Sequence, residues 1–148
     1  RFVRQNHAAT LTLSKTKSAY KANYMRADTL VLAIGGIGFL GFGAVMLVAP
    51  QAAMAGLGLT VPDGVPTTEI RAFYGGLELG LGALLLAALR KVQYRRAGLI
   101  LGCVSYGSVA AARALGMLID GSSGSGFLWG ALAVEVSLAM AFLWTLKR

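Results

Sequence analysis

The chain is short of nearly every residue type on which soluble catalysts rely. Cys103 is its one cysteine, so no intramolecular disulfide can form and no paired-cysteine metal or redox motif exists. His7 is its one histidine and lies in a polar amino-terminal arm, so histidine metal centres and Ser-His-Asp chemistry lack their central residue elsewhere. Only 6 acidic side chains stand against 14 Lys and Arg, a formal net charge of +8. The 3 prolines, Pro50, Pro62 and Pro66, all fall in one short stretch. Charged residues make up 14% of the 148 positions, and their clustering leaves long uncharged runs.

Those runs are what the chain has instead. Hydrophobic residues reach 56%, with 20 glycines besides. A run of about 20 apolar residues is long enough to cross a bilayer. Four such spans are expected, over 29–49, 67–89, 97–119 and 127–146. The fold class is therefore an all-α integral membrane protein, a four-transmembrane-helix bundle over 29–148 preceded by a basic arm over 1–28. The bundle uses the whole remaining length, so a single membrane domain is expected. The apolar stretch after Pro50 fits a short helix lying in the interface, and Thr67 or Thr68 can cap the second span.

The positive charge is placed for topology. Arg1, Arg4, Lys15, Lys17, Lys21 and Arg26 precede the first span. Arg90, Lys91, Arg95 and Arg96 form a basic loop between the second and third, and Lys147 and Arg148 follow the fourth. The other two connections carry no Lys or Arg. Cationic loops stay on the cytoplasmic side, so both termini are expected to face cytoplasm, matrix or stroma. The same placement reads as contact with lipid headgroups rather than nucleic acid. The arm is acid-poor and rich in Ser, Thr, Lys and Arg, which fits an organelle transit region or an ordinary basic tail. Starting at Arg1, it reads as processed or truncated. Its stretch 16–27 allows a short interfacial helix with Tyr20 and Tyr24 on one side.

Five charged residues stand inside the spans: Glu69, Arg71 and Glu78 in the second, Arg113 in the third, Glu135 in the fourth. Each costs about 2.5–3.5 kcal/mol on insertion, so each needs a partner. Arg71, Gly75, Glu78 and Gly82 are spaced to share one helical face. Gly102, Tyr106, Val109 and Arg113 share another. At 1.5 Å per residue, Glu78 lies roughly 16 Å below the outer end of its span, Glu135 roughly 12 Å and Arg113 roughly 9 Å. An intramembrane ion-pair network of Arg71, Glu78, Arg113 and Glu135 is expected, with Arg113 meeting Glu135, Glu78 or both and Arg71 closing the outer end. Such a network fixes helix register, or it lines an outward-facing polar pocket for a small solute, a proton or a pigment. Both readings stand on the sequence.

Helix packing is expected at Gly76 and Gly80 in the second span and at Gly98 and Gly102 in the third, each a GxxxG pair. The GGIGFLGFG run of the first span is not a phosphate loop, because it lacks the Lys-Ser/Thr ending. No nucleophile–base pair is evident and no metal set is expected. A glutamate can give chlorophyll magnesium its single axial oxygen. Glu78, then Glu135, is the candidate, and chlorophyll or carotenoid is expected only with a photosynthetic host. Bound lipid is expected in any case.

The run Glu69, Arg71, Tyr74, Gly75, Gly76 opens the second span just after a first helix that ends at Pro50. With Arg113 late in the third span and Glu135 in the fourth, it resembles the bacterial membrane family catalogued as domain of unknown function 4345. The resemblance covers about residues 29–146 and implies four membrane helices and no known activity. The arm lies outside it. Taken together, the chain reads as a non-catalytic accessory subunit of a larger energy-transducing complex, photosynthetic or respiratory. It would contact lipids and neighbouring subunits through the arm and its glycine faces. A thylakoid or mitochondrial inner membrane is favoured, with the bacterial cytoplasmic membrane as the alternative. The rival is a free-standing small membrane protein whose polar pocket binds or moves a small solute or proton.

Overall fold

The computed structural model describes residues 27–122 and 124–148. The interfacial helix expected within the arm lies outside them. Four helices are long and apolar enough to cross a membrane: α1 (Ala27–Val48), α3 (Val65–Arg90), α4 (Val92–Ile119) and α5 (Gly126–Leu146). The short helix α2 (Pro50–Ala55) follows α1, with Pro50 in its first turn, where a missing N–H costs nothing. No strand occurs among the described residues.

Two helix boundaries differ from the sequence expectation. α3 begins at Val65, with Gly64 at φ 84° as its N-cap, so Pro66 lies inside the first turn and neither threonine is the cap residue. The Thr67 and Thr68 hydroxyls instead donate to the carbonyls of Pro62 (2.8 Å) and Gly64 (3.1 Å). The basic loop is also shorter than expected. Lys91 alone leaves helical geometry, and α4 resumes at Val92. No glycine or proline lies in 92–96 to break the helix, so Arg95 and Arg96 belong to its first turns.

Cross-helix contacts define two ends. At the basic end, Arg95 Nη1 donates to Thr29 Oγ1 (3.2 Å) and Nη2 to the Leu89 carbonyl (3.5 Å), which gathers the start of α1, the end of α3 and the start of α4. At the opposite, loop end, Gln51 Nε2 donates to Asp63 Oδ1 (2.8 Å) and the Val61 carbonyl (3.2 Å), tying α2 to the connection that follows it.

α1 and α3 run antiparallel at close range because their facing residues are glycines. A Cβ on Gly82 would meet the Gly36 carbonyl oxygen at 2.8 Å and Leu40 N at 2.9 Å. A Cβ on Gly43 would meet the Gly75 carbonyl oxygen at 2.9 Å. Gly36 thus opposes Gly82, and Gly43 opposes Gly75. In lipid, where water exclusion does not draw helices together, such close backbone packing is a main source of association. The core lies toward the basic end: Leu32, Phe39, Leu85, Ala88, Leu99, Tyr106 and Phe142. Tyr106 stacks on Phe39 with centroids 4.4 Å apart and on Phe142 at 6.0 Å. Its hydroxyl donates to the Gly35 carbonyl at 2.8 Å, so α1, α4 and α5 meet at this side chain. The Trp129 and Trp144 side chains near the two ends of α5 are both exposed, as an interfacial belt requires.

Candidate functional site

The charged residues of the membrane interior gather toward the loop end of the core, and three helices supply them. Arg113 of α4 reaches α5 with its whole guanidinium edge. Its Nε donates to Glu135 Oε2 at 2.8 Å and its Nη2 to Oε1 at 2.5 Å. A planar guanidinium matches a carboxylate in this two-bond fork, the strongest form of such a pair. The pair is partly covered, with side-chain exposures of 26% and 12%. Both oxygens of Glu135 are therefore engaged.

Glu78 has no such partner. Among the described residues no hydrogen bond or ion pair reaches its carboxylate. It is half-buried on α3, with its Cβ 3.0 Å from where a Cβ on Gly43 would stand, and within electrostatic range of Glu135 and Tyr106. Glu78 lies near the midpoint of α3.

Arg71 is not a member of this group. The face holding Arg71, Gly75, Glu78 and Gly82 lies along α1, and there Arg71 Nε donates to the Leu47 carbonyl at 3.0 Å. A cation suits that place, since the last carbonyls of α1 have no partner within their own helix. The expected four-membered balance becomes two carboxylates facing one guanidinium.

The backbone around Arg71 is unusual. Arg71–Gly76 forms a π-helical turn between two α-helical segments of α3. Turns of this kind often accompany functional sites. This one occupies most of the motif that opens the span, and its end delivers Gly75 to Leu47 of α1 and Glu78 to Gly43.

The packing glycines differ from expectation on α3. Gly98 faces Ala88 and Leu32, and Gly102 faces the Phe142 ring. Gly80 has nothing within 4 Å, and Gly76 meets only the Arg71 carbonyl of its own helix. The close α1–α3 contact uses Gly75 and Gly82 instead. The signal for them was present: Gly36 and Gly43, like Gly75 and Gly82, are seven residues apart, two turns on one face. The Tyr106 bond and the Leu47 acceptor had no signal, because a backbone carbonyl leaves no mark in a sequence. A groove of about 380 Å³ between α4 and α5 is lined by Gly107, Ala110, Ala114, Val136, Met140 and other apolar residues, and holds none of the charged groups. No cluster of three or more His, Cys, Asp or Glu able to hold a metal occurs among the described residues.

A family model described as Domain of unknown function (DUF4345) matches residues 27–146. No curated protein and no solved structure matches the chain.

Proposed function

From the premise that this chain belongs to the DUF4345 family, we propose that it is a small membrane protein whose interior carboxylate, Glu78, binds or moves a small solute or proton. One observation carries this reading: two glutamates share one arginine, and the arginine is spent on Glu135. An ionised carboxylate without a partner is costly at membrane depth and marks a functional position. Among the described residues Glu78 thus has no counterpart. The reading is non-catalytic, and the basic residues of the Lys91 end set that end toward the cytoplasm, matrix or stroma. Purified protein in detergent is expected to gain thermal stability with acid or with one member of a panel of small solutes, and Glu78→Gln to lose that gain while folding normally. A Glu78→Gln protein that responds as wild type would refute it.

A second reading, an accessory subunit of a photosynthetic or respiratory complex in an organellar membrane, is favoured by a different observation. The Gly76–Gly80 face and the α4–α5 groove are open. Small residues of this kind let a neighbouring transmembrane helix approach closely. Gentle extraction and native electrophoresis would then show a particle well above 15.4 kDa that Gly80→Leu releases. The absorption spectrum of that band would reveal chlorophyll or carotenoid. A particle of unchanged size in Gly80→Leu would exclude this face as the contact.

A further inference from the structure

Resting on the reading of Glu78 as the site, we infer that its ligand is a proton taken from the loop end and returned to the loop end, so that the protein holds a proton without passing it across. The first half follows from the groups present. Glu78 is acceptor-only when ionised, and the Tyr106 hydroxyl proton is committed to the Gly35 carbonyl. The site therefore selects positive charge. It offers one free carboxylate, too few ligands for a metal ion. The Gly43 backbone packs against the Glu78 Cβ, which leaves no room on the α1 side for a bulky organic cation. A proton needs one oxygen lone pair and no further space. Adding it forms the O–H bond of a neutral acid, after which the one remaining carboxylate and the one guanidinium balance.

The groups facing Glu78 fit this. α5 presents Glu135 and α4 presents Tyr106, with Arg113 held on Glu135. α1 carries no titratable side chain from Thr29 to Ala49, and on α3 the nearest titratable groups are Tyr74 and Arg71, the latter turned to Leu47. The second half follows from what lies beyond. Between the level of Gly43 and that of Leu32 stand about 16 Å of helix α1, taking 1.5 Å per residue. The core fills that interval with Phe39, Tyr106, Phe142, Leu85 and Leu32, of which Leu32, Leu85 and Phe142 are fully buried. An apolar close-packed interior stays dry and offers no chain of hydrogen bonds along which a proton could travel. The next carboxylate, Asp28, lies on the far side of this plug.

The test uses the full chain in lipid vesicles with two readouts. Infrared difference spectra report the carboxylic acid C=O stretch on acidification, and a trapped pH dye reports proton entry. Wild type is expected to show a new acid band, lost in Glu78→Gln, kept in Asp28→Asn and regained in Glu78→Asp. Proton entry is expected to match that of protein-free vesicles. Entry above that level, abolished by Glu78→Gln, would overturn one-sided holding while leaving Glu78 as the site. No acid band in wild type, or a band unchanged in Glu78→Gln, would overturn the proton as ligand. In that case, Glu78-dependent stabilisation by a solute would still distinguish this failure from failure of the site itself.

Discussion

The Tyr106 hydroxyl donates to the carbonyl of Gly35, 71 positions earlier in the chain, at 2.8 Å. The bond is possible because Gly35 and Gly38 have no side chains: a Cβ on Gly38 would stand 2.9 Å from the hydroxyl oxygen. Hydrogen bonds between membrane helices average about 0.6 kcal/mol and reach about 1.7. Tyr106→Phe should therefore lose on the order of 1 kcal/mol in reversible unfolding from mixed micelles. Tyr106→Ala removes the ring between Phe39 and Phe142 as well and should lose about 3–5 kcal/mol. Equal losses in the two variants would mean that the ring packing contributes nothing.

Arg113 and Glu135 should behave as one unit. Removing one partner strands a covered charge, at about 3–5 kcal/mol for a buried pair. The present pair is partly covered, so Arg113→Ala and Glu135→Ala should each fall at or below the low end of that range. The double variant should cost less than the sum of the singles. A double-mutant cycle measured by unfolding in micelles checks this, and strict additivity would dissolve the pair.

The α1–α3 contact predicts opposite outcomes for two glycines of one helix. Gly82→Ala places a methyl against the Gly36 carbonyl and Leu40 backbone and should destabilise, forcing the helices apart. Gly80→Ala adds a methyl in open space and should be neutral or stabilising, by about 0.5–1 kcal/mol from the backbone alone. Thermal melts of the two purified variants decide it.

A fourth expectation concerns Arg71. Arg71→Gln removes the cation from the Leu47 carbonyl while leaving the Arg113–Glu135 pair untouched. Hydrogen exchange should quicken at the last turn of α1 and at the π-helical turn, and stay unchanged around Glu135. Faster exchange around Glu135 would place Arg71 back among the interior charges.

Span number and order were legible because uncharged runs of membrane length are rare and the basic segments separate them cleanly. The depth of Arg113 and Glu135 was legible for the same reason, since each span supplies a ruler. What stayed hidden has physical causes. A GxxxG spacing occurs on one face of α3 at Gly76 and Gly80, and a seven-residue spacing on another at Gly75 and Gly82. Spacing alone does not say which face a neighbour covers. The role of Arg71 was hidden because its acceptor is the Leu47 main chain. The start of α3 was placed two residues late because proline breaks a helix interior yet fits a first turn.

The π-helical turn at Arg71–Gly76 has a consequence for how the chain tolerates change in length. A wider turn holds more residues than an α-helical turn does. A single-residue deletion there could leave α3 continuous and its apolar length nearly intact. Because the wider turn absorbs an extra residue, removing one would close an ordinary α-helical turn and leave the helix on either side near its original phase. Arg71 would stay at Leu47 and Glu78 at Gly43. The π-helical turn is thus a place where α3 can lose a residue and keep its two charged landmarks in register.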